Sequence, residues 1–172
     1  IQTIYANTHE KYGTSYDDIT KSLNELNTYA DKTIYSFGDM TKNIGLFTNA
    51  GLELNESTSM IKGFSNAAAA SGSNAQQAAG AAYQLSQGLS QGKITLMDWK
   101  SLVTAGMGNA VMKEGLVDIA HAMGTLDSST MNTSVAINKD FLGSLEQGWI
   151  TSDVMSNYLQ IMSGDMDDAK MA

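Results

Sequence analysis

An all-α fold, a compact bundle or solenoid of about seven or eight short antiparallel helices, is what the punctuation of this chain predicts. Three observations carry the prediction. Proline is absent from all 172 residues, although it breaks helix interiors and ordinarily marks loops. Glycines divide the chain into runs of only a few turns each. Within those runs the apolar residues recur at three- and four-residue spacing, the period of one helix face.

The elements follow in order. Ile1 to Gly13 shows no clear period and reads as a frayed lead-in, residues 1–14. Ser15 and Asp18 form a start box for a helix to Ala30, with Ile19, Leu23, Leu26 and Ala30 at helical spacing. A second helix runs from Ser36 to about Asn49, with Phe37, Met40, Ile44 and Phe47 on one face and Gly51 beyond its end. Asn55 reads as the cap of a third, Glu56 to about Ser71, which turns Met60, Ile61, Phe64 and Ala68 inward and stops at Gly72.

Asn74 to Asn109 is the most informative stretch. An Ala/Gln-rich helix ends at Gly92, and Thr95 with Asp98 opens the next, because the hydroxyl and the carboxylate satisfy free backbone N–H groups. Gly92 and Gly106 stand where a helix end needs a left-handed residue. In the first of the pair Ala78, Ala82, Leu85 and Leu89 make the inner stripe. In the second, Trp99 falls between Leu96 and Leu102/Val103, which favours core packing over a partner hot spot.

A sixth helix covers about Ala110 to Met123, with Leu116, Ile119, Ala120 and Met123 inward and Gly124 as its stop. Leu126 to Ile137 is rich in Ser, Thr and Asn and reads as a loop or a small β-hairpin, with Ser134 to Ile137 the best strand candidate. Two helices follow, about Asn138–Gln147 and Ser152–Ser163, the latter with Val154, Met155, Tyr158, Leu159 and Met162 on a broad apolar face. Residues 15–164 form the globular unit in this reading, and 165–172 a tail leading into a longer parent, an expectation supported by a first residue that is Ile1 rather than Met.

The chain also repeats itself at an offset of 56 residues: Leu89-x-Gln91-Gly92-x-Ile94-Thr95 aligns with Leu145-x-Gln147-Gly148-x-Ile150-Thr151. Each copy is a helix end, a glycine, an isoleucine and a threonine that starts the next helix. Duplication and reuse of one good helical corner explain this equally well. Either way Ile94 and Ile150 should be buried.

Composition narrows the function classes. Leu, Ile, Val and Phe make up only about a fifth of the chain, near the level typical of disorder. Eleven Met and seven Tyr, with many Ala, supply the remaining apolar bulk, so the core should be built of small and adaptable residues. The absence of cysteine excludes disulfides, thiolate catalysis and Cys-ligated metal. A net charge of −8 argues against nucleic acid or an anionic membrane as partner, and solubility is its simplest meaning. No signal peptide is visible, and no apolar run approaches the length of a membrane span.

Tyr83-Gln84-Leu85-Ser86-Gln87, then Gly92, then Leu96-Met97-Asp98-Trp99-Lys100-Ser101, then Ala105-Gly106-Met107-Gly108 resembles the N-terminal tape measure domain of long-tailed bacteriophages and prophages. Upstream, Asp31-Lys32-Thr33 with Phe37 through Gly51 is similar to the lead-in of that family. Downstream, Phe141 to Gly164 is similar to its closing segment and includes Gly148, Trp149 and Ile150. The resemblance spans roughly Asp31 to Gly164, with one departure at Asn109, where a second glycine is expected after Met107-Gly108. It implies a structural protein with no catalytic residues and no cofactor. The partners it implies are tail tube and tail-tip proteins and tail assembly chaperones. It places the protein in the lumen of the phage tail, and in the host cytoplasm during assembly.

The residues themselves offer no convincing active site. Gly88-Leu89-Ser90-Gln91-Gly92 fits G-x-S-x-G, but that motif needs a preceding strand and here follows an Ala-rich helix. The same Gly88 and Gly92 have the spacing of a close helix contact. His9 and His121 are far apart, with only Asp118 near the latter on its helix, a surface pair by the simpler reading. Asp165, Asp167 and Asp168 lack the glycine and closing glutamate of a calcium loop. No carboxylate pair stands out for glycoside cleavage. Trp149, beside Ile150 at a corner, is balanced between core and contact surface. The stripe Gln84, Gln87 and Gln91, with Gln76, is the best candidate partner surface, and the Met-rich faces of the last helices suit self-association. Two other readings remain: a cell-wall hydrolase module of a phage tail protein, and a helical protein-binding domain unrelated to phages, such as a secreted effector.

Overall fold

Short-range capping sets most of the helix boundaries. In the computed structural model, which describes residues 1–30, 35–126, 137 and 139–164, nine α-helices and one 3₁₀ turn follow one another. They are α1 (Gln2–Tyr12), α2 (Tyr16–Ala30), α3 (Phe37–Asn49), α4 (Leu54–Ala70), α5 (Ala75–Gln91), α6 (Leu96–Thr104), α7 (Ala110–Met123), α8 (Phe141–Ser144), the 3₁₀ turn Leu145–Gln147, and α9 (Ser152–Met162). The fold is an all-α bundle, as the periodicity predicts.

The start signals are made in full. Asp18 N donates to Ser15 Oγ at 3.1 Å while Ser15 N donates to the Asp18 carboxylate at 2.9 Å. Asn74 and Gln77 make the same reciprocal box at the start of α5. Ser36, Asn109 and Thr151 each accept a backbone N–H from three residues on. Asn109, the departure from the family pattern, is thus the N-cap of α7, with its side chain bonded to Met112 N at 3.0 Å. Each such cap satisfies a donor that a helix start leaves free, an effect of about 1 kcal/mol.

Several expectations are corrected. The lead-in expected to fray is an 11-residue helix, α1, which buries Ile4 and Thr8 and lies against α3. Its weak periodicity reflects how little it buries. α4 begins at Leu54, two residues before the expected start, and Asn55 lies inside it rather than capping it. The helix expected over 138–147 is the short α8, capped by Asp140, running into the 3₁₀ turn. Leu96, Val103 and Met123 are exposed rather than core. The hairpin expected near 126–137 falls largely on residues 127–136, outside the described residues, as does the tail 165–172.

α4 is the centre of the bundle, packed by α2, α3, α5 and α9. Met60, Ile61, Phe64 and Ala68 supply its apolar contacts. Its remaining buried positions are unusually polar, among them Ser57, Thr58, Ser59, Lys62 and Ser65. Thr58 bonds its own helix and Lys62 reaches the Glu25 carboxylate at 2.6 Å. Small residues here allow α9 to approach very closely. A Cβ on Gly63 would lie 1.7 Å from the Leu159 carbonyl oxygen. On the other side of α9, a Cβ on Gly115 of α7 would lie 2.7 Å from the Tyr158 ring. Hydrogen bonds Ser156 to Glu56 (2.5 Å), Ser59 to Ser163 (3.1 Å) and Asn66 to the Met162 carbonyl (2.8 Å) run along the α4–α9 seam.

Candidate functional site

The two repeated corners meet in space. Ile94 N donates to the Ile150 carbonyl at 2.8 Å and Ser152 N to the Gly92 carbonyl at 3.0 Å, so Lys93 and Thr151 form an antiparallel bridge. Ile94 and Ile150 are both buried. Gly92 and Gly148 each take the left-handed conformation, at φ 91° and 71°. A residue with a Cβ is disfavoured there by about 1–2 kcal/mol, which is why both corners carry glycine. The Ser152 hydroxyl adds a bond to the Leu89 carbonyl at 2.8 Å. The repeat therefore joins two distant parts of the chain through one short strand-like contact.

Asp98 is the polar centre beside this contact. Its buried carboxylate accepts Thr95 N and Thr95 Oγ1, both at 2.9 Å, and Gln84 Nε2 at 2.8 Å. A buried carboxylate with three donors is satisfied, whereas removing them would leave a costly orphan. Gly88 makes the arrangement sterically feasible, since a Cβ there would stand 2.6 Å from the same carboxylate.

An aromatic sandwich underlies the corners. Phe141 lies 4.7 Å from the Trp99 ring and 5.7 Å from the Trp149 ring, edge-on to the latter. Trp149 Nε1 donates to Ser144 Oγ at 3.0 Å, and Lys113 Nζ sits 5.1 Å over the Phe141 ring. Both tryptophans are buried, which resolves Trp149 in favour of the core. Gly108 faces Trp99, where a Cβ would come within 3.2 Å of the indole.

The motif residues thus divide. Leu85, Asp98, Trp99, Met107, Trp149 and Ile150 are buried, while Tyr83, Gln87 and Leu96 are exposed. Gly106 packs on the Ser71 carbonyl. Of the glutamine stripe, Gln76, Gln87 and Gln91 are exposed, but Gln84 is half-buried and tied to Asp98. Ser90 of the G-x-S-x-G stretch is an exposed residue in the last turn of a helix, with no strand before it. His9 on α1 stacks on Tyr5 at 4.4 Å and bonds the Thr14 carbonyl at 2.9 Å, whereas His121 lies in the last turn of α7. Among the described residues no three His, Cys, Asp or Glu cluster as metal ligands, and no helix is long and apolar enough to cross a membrane.

Beside the paired corners, α6 and α8 border a groove of about 380 Å³, lined by Leu96, Leu142 and the buried Leu145, with Lys93 and Glu146 as its charged members. Sequence reasoning misses this groove because the helical period assigns Leu96 to the core. It also misses Gly63 and Gly115, which read only as weak points inside helices.

A family model described as Tape measure protein matches residues 3–172 of this chain. No curated protein and no solved structure matches it. The chain belongs to the tape measure protein family, and with it to the structural proteins of the phage tail.

Proposed function

We propose that this member of the tape measure family is a globular docking module in tail assembly, not the length-setting ruler itself. One observation carries the reading. Among the described residues the longest helices, α4 and α5, have 17 residues each and fold back against their neighbours. Such a helix is only about 25 Å long. A ruler gains length from continuous extended helix, whereas this chain commits its residues to a packed core. Length determination would then belong to other parts of the tape measure protein, and this module would serve initiation, docking or DNA ejection.

The proposed partners are the tail tube and tail-tip proteins and the tail assembly chaperones, met in the host cytoplasm before the protein is enclosed in the tail lumen. The exposed Gln76, Gln87 and Gln91 remain a proposed contact stripe, because an amide costs less to bury than a charge and can both donate and accept hydrogen bonds across an interface.

The test is electron microscopy of particles whose tape measure gene lacks the codons for residues 15–164, in frame. Missing tails, or tubes of uncontrolled length, are the expected result and place the module in assembly. Normal tails on particles that adsorb but deliver no DNA would place it in ejection. Normal tails with full infectivity would overturn the proposal, as would peptidoglycan cleavage by the purified chain.

A further inference from the structure

A polar pocket of about 350 Å³ opens between the end of α1, one face of α2 and the start of α4, and shares no residue with the paired corners or the groove beside them. We infer that it is a binding site for a small organic cation, an ammonium or guanidinium group. The inference does not depend on the assembly role proposed above.

Two hydroxyls distinguish the pocket from an ordinary surface hollow. Thr14 and Ser22 line it and are only 6% and 5% exposed, yet neither hydroxyl has a hydrogen-bond partner among the described residues. Thr8, Thr48 and Thr58, also buried, instead return their hydroxyls to the backbone one turn earlier. Ser57 is the useful contrast: its hydroxyl is equally unpartnered but sealed inside the core, where no ligand can reach it. A polar group taken out of water without a partner is costly, and Thr14 and Ser22 stand where a ligand would supply one.

Charge decides the class of ligand. Asp18, Ser22 and Glu25 share one face of α2, and Glu53 enters from the start of α4. Three carboxylates against Lys21 leave the lining with two negative charges, and one remains when Lys62, which pairs with Glu25, is counted as well. Lys62 engages one Glu25 oxygen and the Ser15 N–H one Asp18 oxygen, while the Glu53 carboxylate makes neither a cap bond nor an ion pair. The positive end of the α4 dipole is met by Glu53 and Glu56. Among the described residues no three such carboxylates gather closely enough to hold a metal ion. An ammonium or guanidinium group suits them better, because its several N–H donors reach acceptors that are spread apart, the two hydroxyls included.

The walls are already fixed. Tyr12 and Lys11 both bond the Gly51 carbonyl, at 2.6 and 3.1 Å, and His9 bonds that of Thr14 at 2.9 Å. The Ser15–Asp18 box and the Lys62–Glu25 pair orient two of the carboxylates. A preformed site loses little freedom when it is filled.

The test is NMR titration of the whole ¹⁵N-labelled chain with butane-1,4-diamine, with ethylguanidinium and with a short glycine peptide carrying one arginine. Glycerol, sodium acetate and magnesium chloride, at matched ionic strength, are the controls. Saturable shifts of the Thr14, Ser22 and Asn55 amides are expected with the organic cations only, weakening as salt rises. Tighter binding of the diamine would make the natural ligand a free amine, and tighter binding of the arginine peptide a side chain of a protein partner. Glu53→Gln, at an exposed position, should weaken binding about tenfold. Ser22→Ala should weaken it at least about threefold while melting no lower than the unaltered protein, because the hydroxyl it removes has no protein partner. No saturable shift, an equal response to glycerol, acetate or magnesium, or full affinity in both variants would overturn the inference.

Discussion

Replacing Gly63 by alanine should destabilise the protein although alanine is the better helix former. In a free helix the change is worth about 1 kcal/mol in favour of alanine. Here the new methyl would stand 1.7 Å from the Leu159 oxygen, 2.6 Å from its carbonyl carbon and 3.1 Å from its Cα. These are backbone atoms and cannot rotate aside. α9 would have to withdraw by about 1.5 Å to restore ordinary contact. The Ser156–Glu56, Ser59–Ser163 and Asn66–Met162 bonds hold it in place on both sides of Gly63. Overpacking costs about 1–3 kcal/mol where side chains can yield, and this site belongs at the upper end. After the propensity gain, about 2 kcal/mol of destabilisation remains, a fall in Tm of about 4–8 °C for a chain of this size. Gly80→Ala is the internal control, since Gly80 is an exposed position in α5 and a methyl there would meet nothing within 4 Å. It should raise Tm by about 2 °C. Thermal melts followed at 222 nm compare the two. A Gly63→Ala protein as stable as Gly80→Ala would refute the close α4–α9 crossing.

The aromatic sandwich, the corner, the α2 cap and the buried tyrosine each give a further test. Phe141→Ala should cost about 3–5 kcal/mol by urea unfolding, and it should change the fluorescence of Trp99 and Trp149 on either side of the ring. Gly92→Ala meets no neighbour within 4 Å, so its loss of about 1–2 kcal/mol should reflect the left-handed backbone alone. The Ser15 backbone N–H and hydroxyl hold the Asp18 carboxyl below its ordinary pKa, so the charged form belongs to the folded state. Its contribution is present above the usual aspartate range and lost as pH falls through the folded value, and Ser15→Ala should move the NMR titration of Asp18 upward. Burial pushes the Tyr158 hydroxyl up, so the neutral form is the folded one. The associated stability holds below about pH 10 and is lost as pH rises beyond it, and Tyr158→Phe should flatten that alkaline loss.

The sequence by itself determined what lies within a few residues of its cause. Ser15 with Asp18, Asn74 with Gln77 and Thr95 with Asp98 are complete start signals, because donor and acceptor are separated by three residues and no distant group is needed. The helical faces of α2, α3 and α9 and the burial of Ile94 and Ile150 follow from period and repeat in the same way. Where the period is weak, as in α1, the pattern misleads, because a helix that buries two residues leaves little to read.

Only the tertiary structure decided which faces meet. Leu96 and Val103 share the pattern of core residues, yet both are exposed and Leu96 borders a groove, since the residues that α6 buries are Asp98, Trp99 and Leu102. Gln84 belongs by spacing to an open polar stripe, but the fold sets Asp98 against it. The repeat announces two similar corners but not that they pair through Lys93 and Thr151. Gly63 reads in sequence as a flaw inside a helix, and only the arrival of the Leu159 backbone makes it a requirement. A cap is a bond between near neighbours, whereas these are contacts between surfaces brought together from distant parts of the chain. Their geometry depends on every element packed around them.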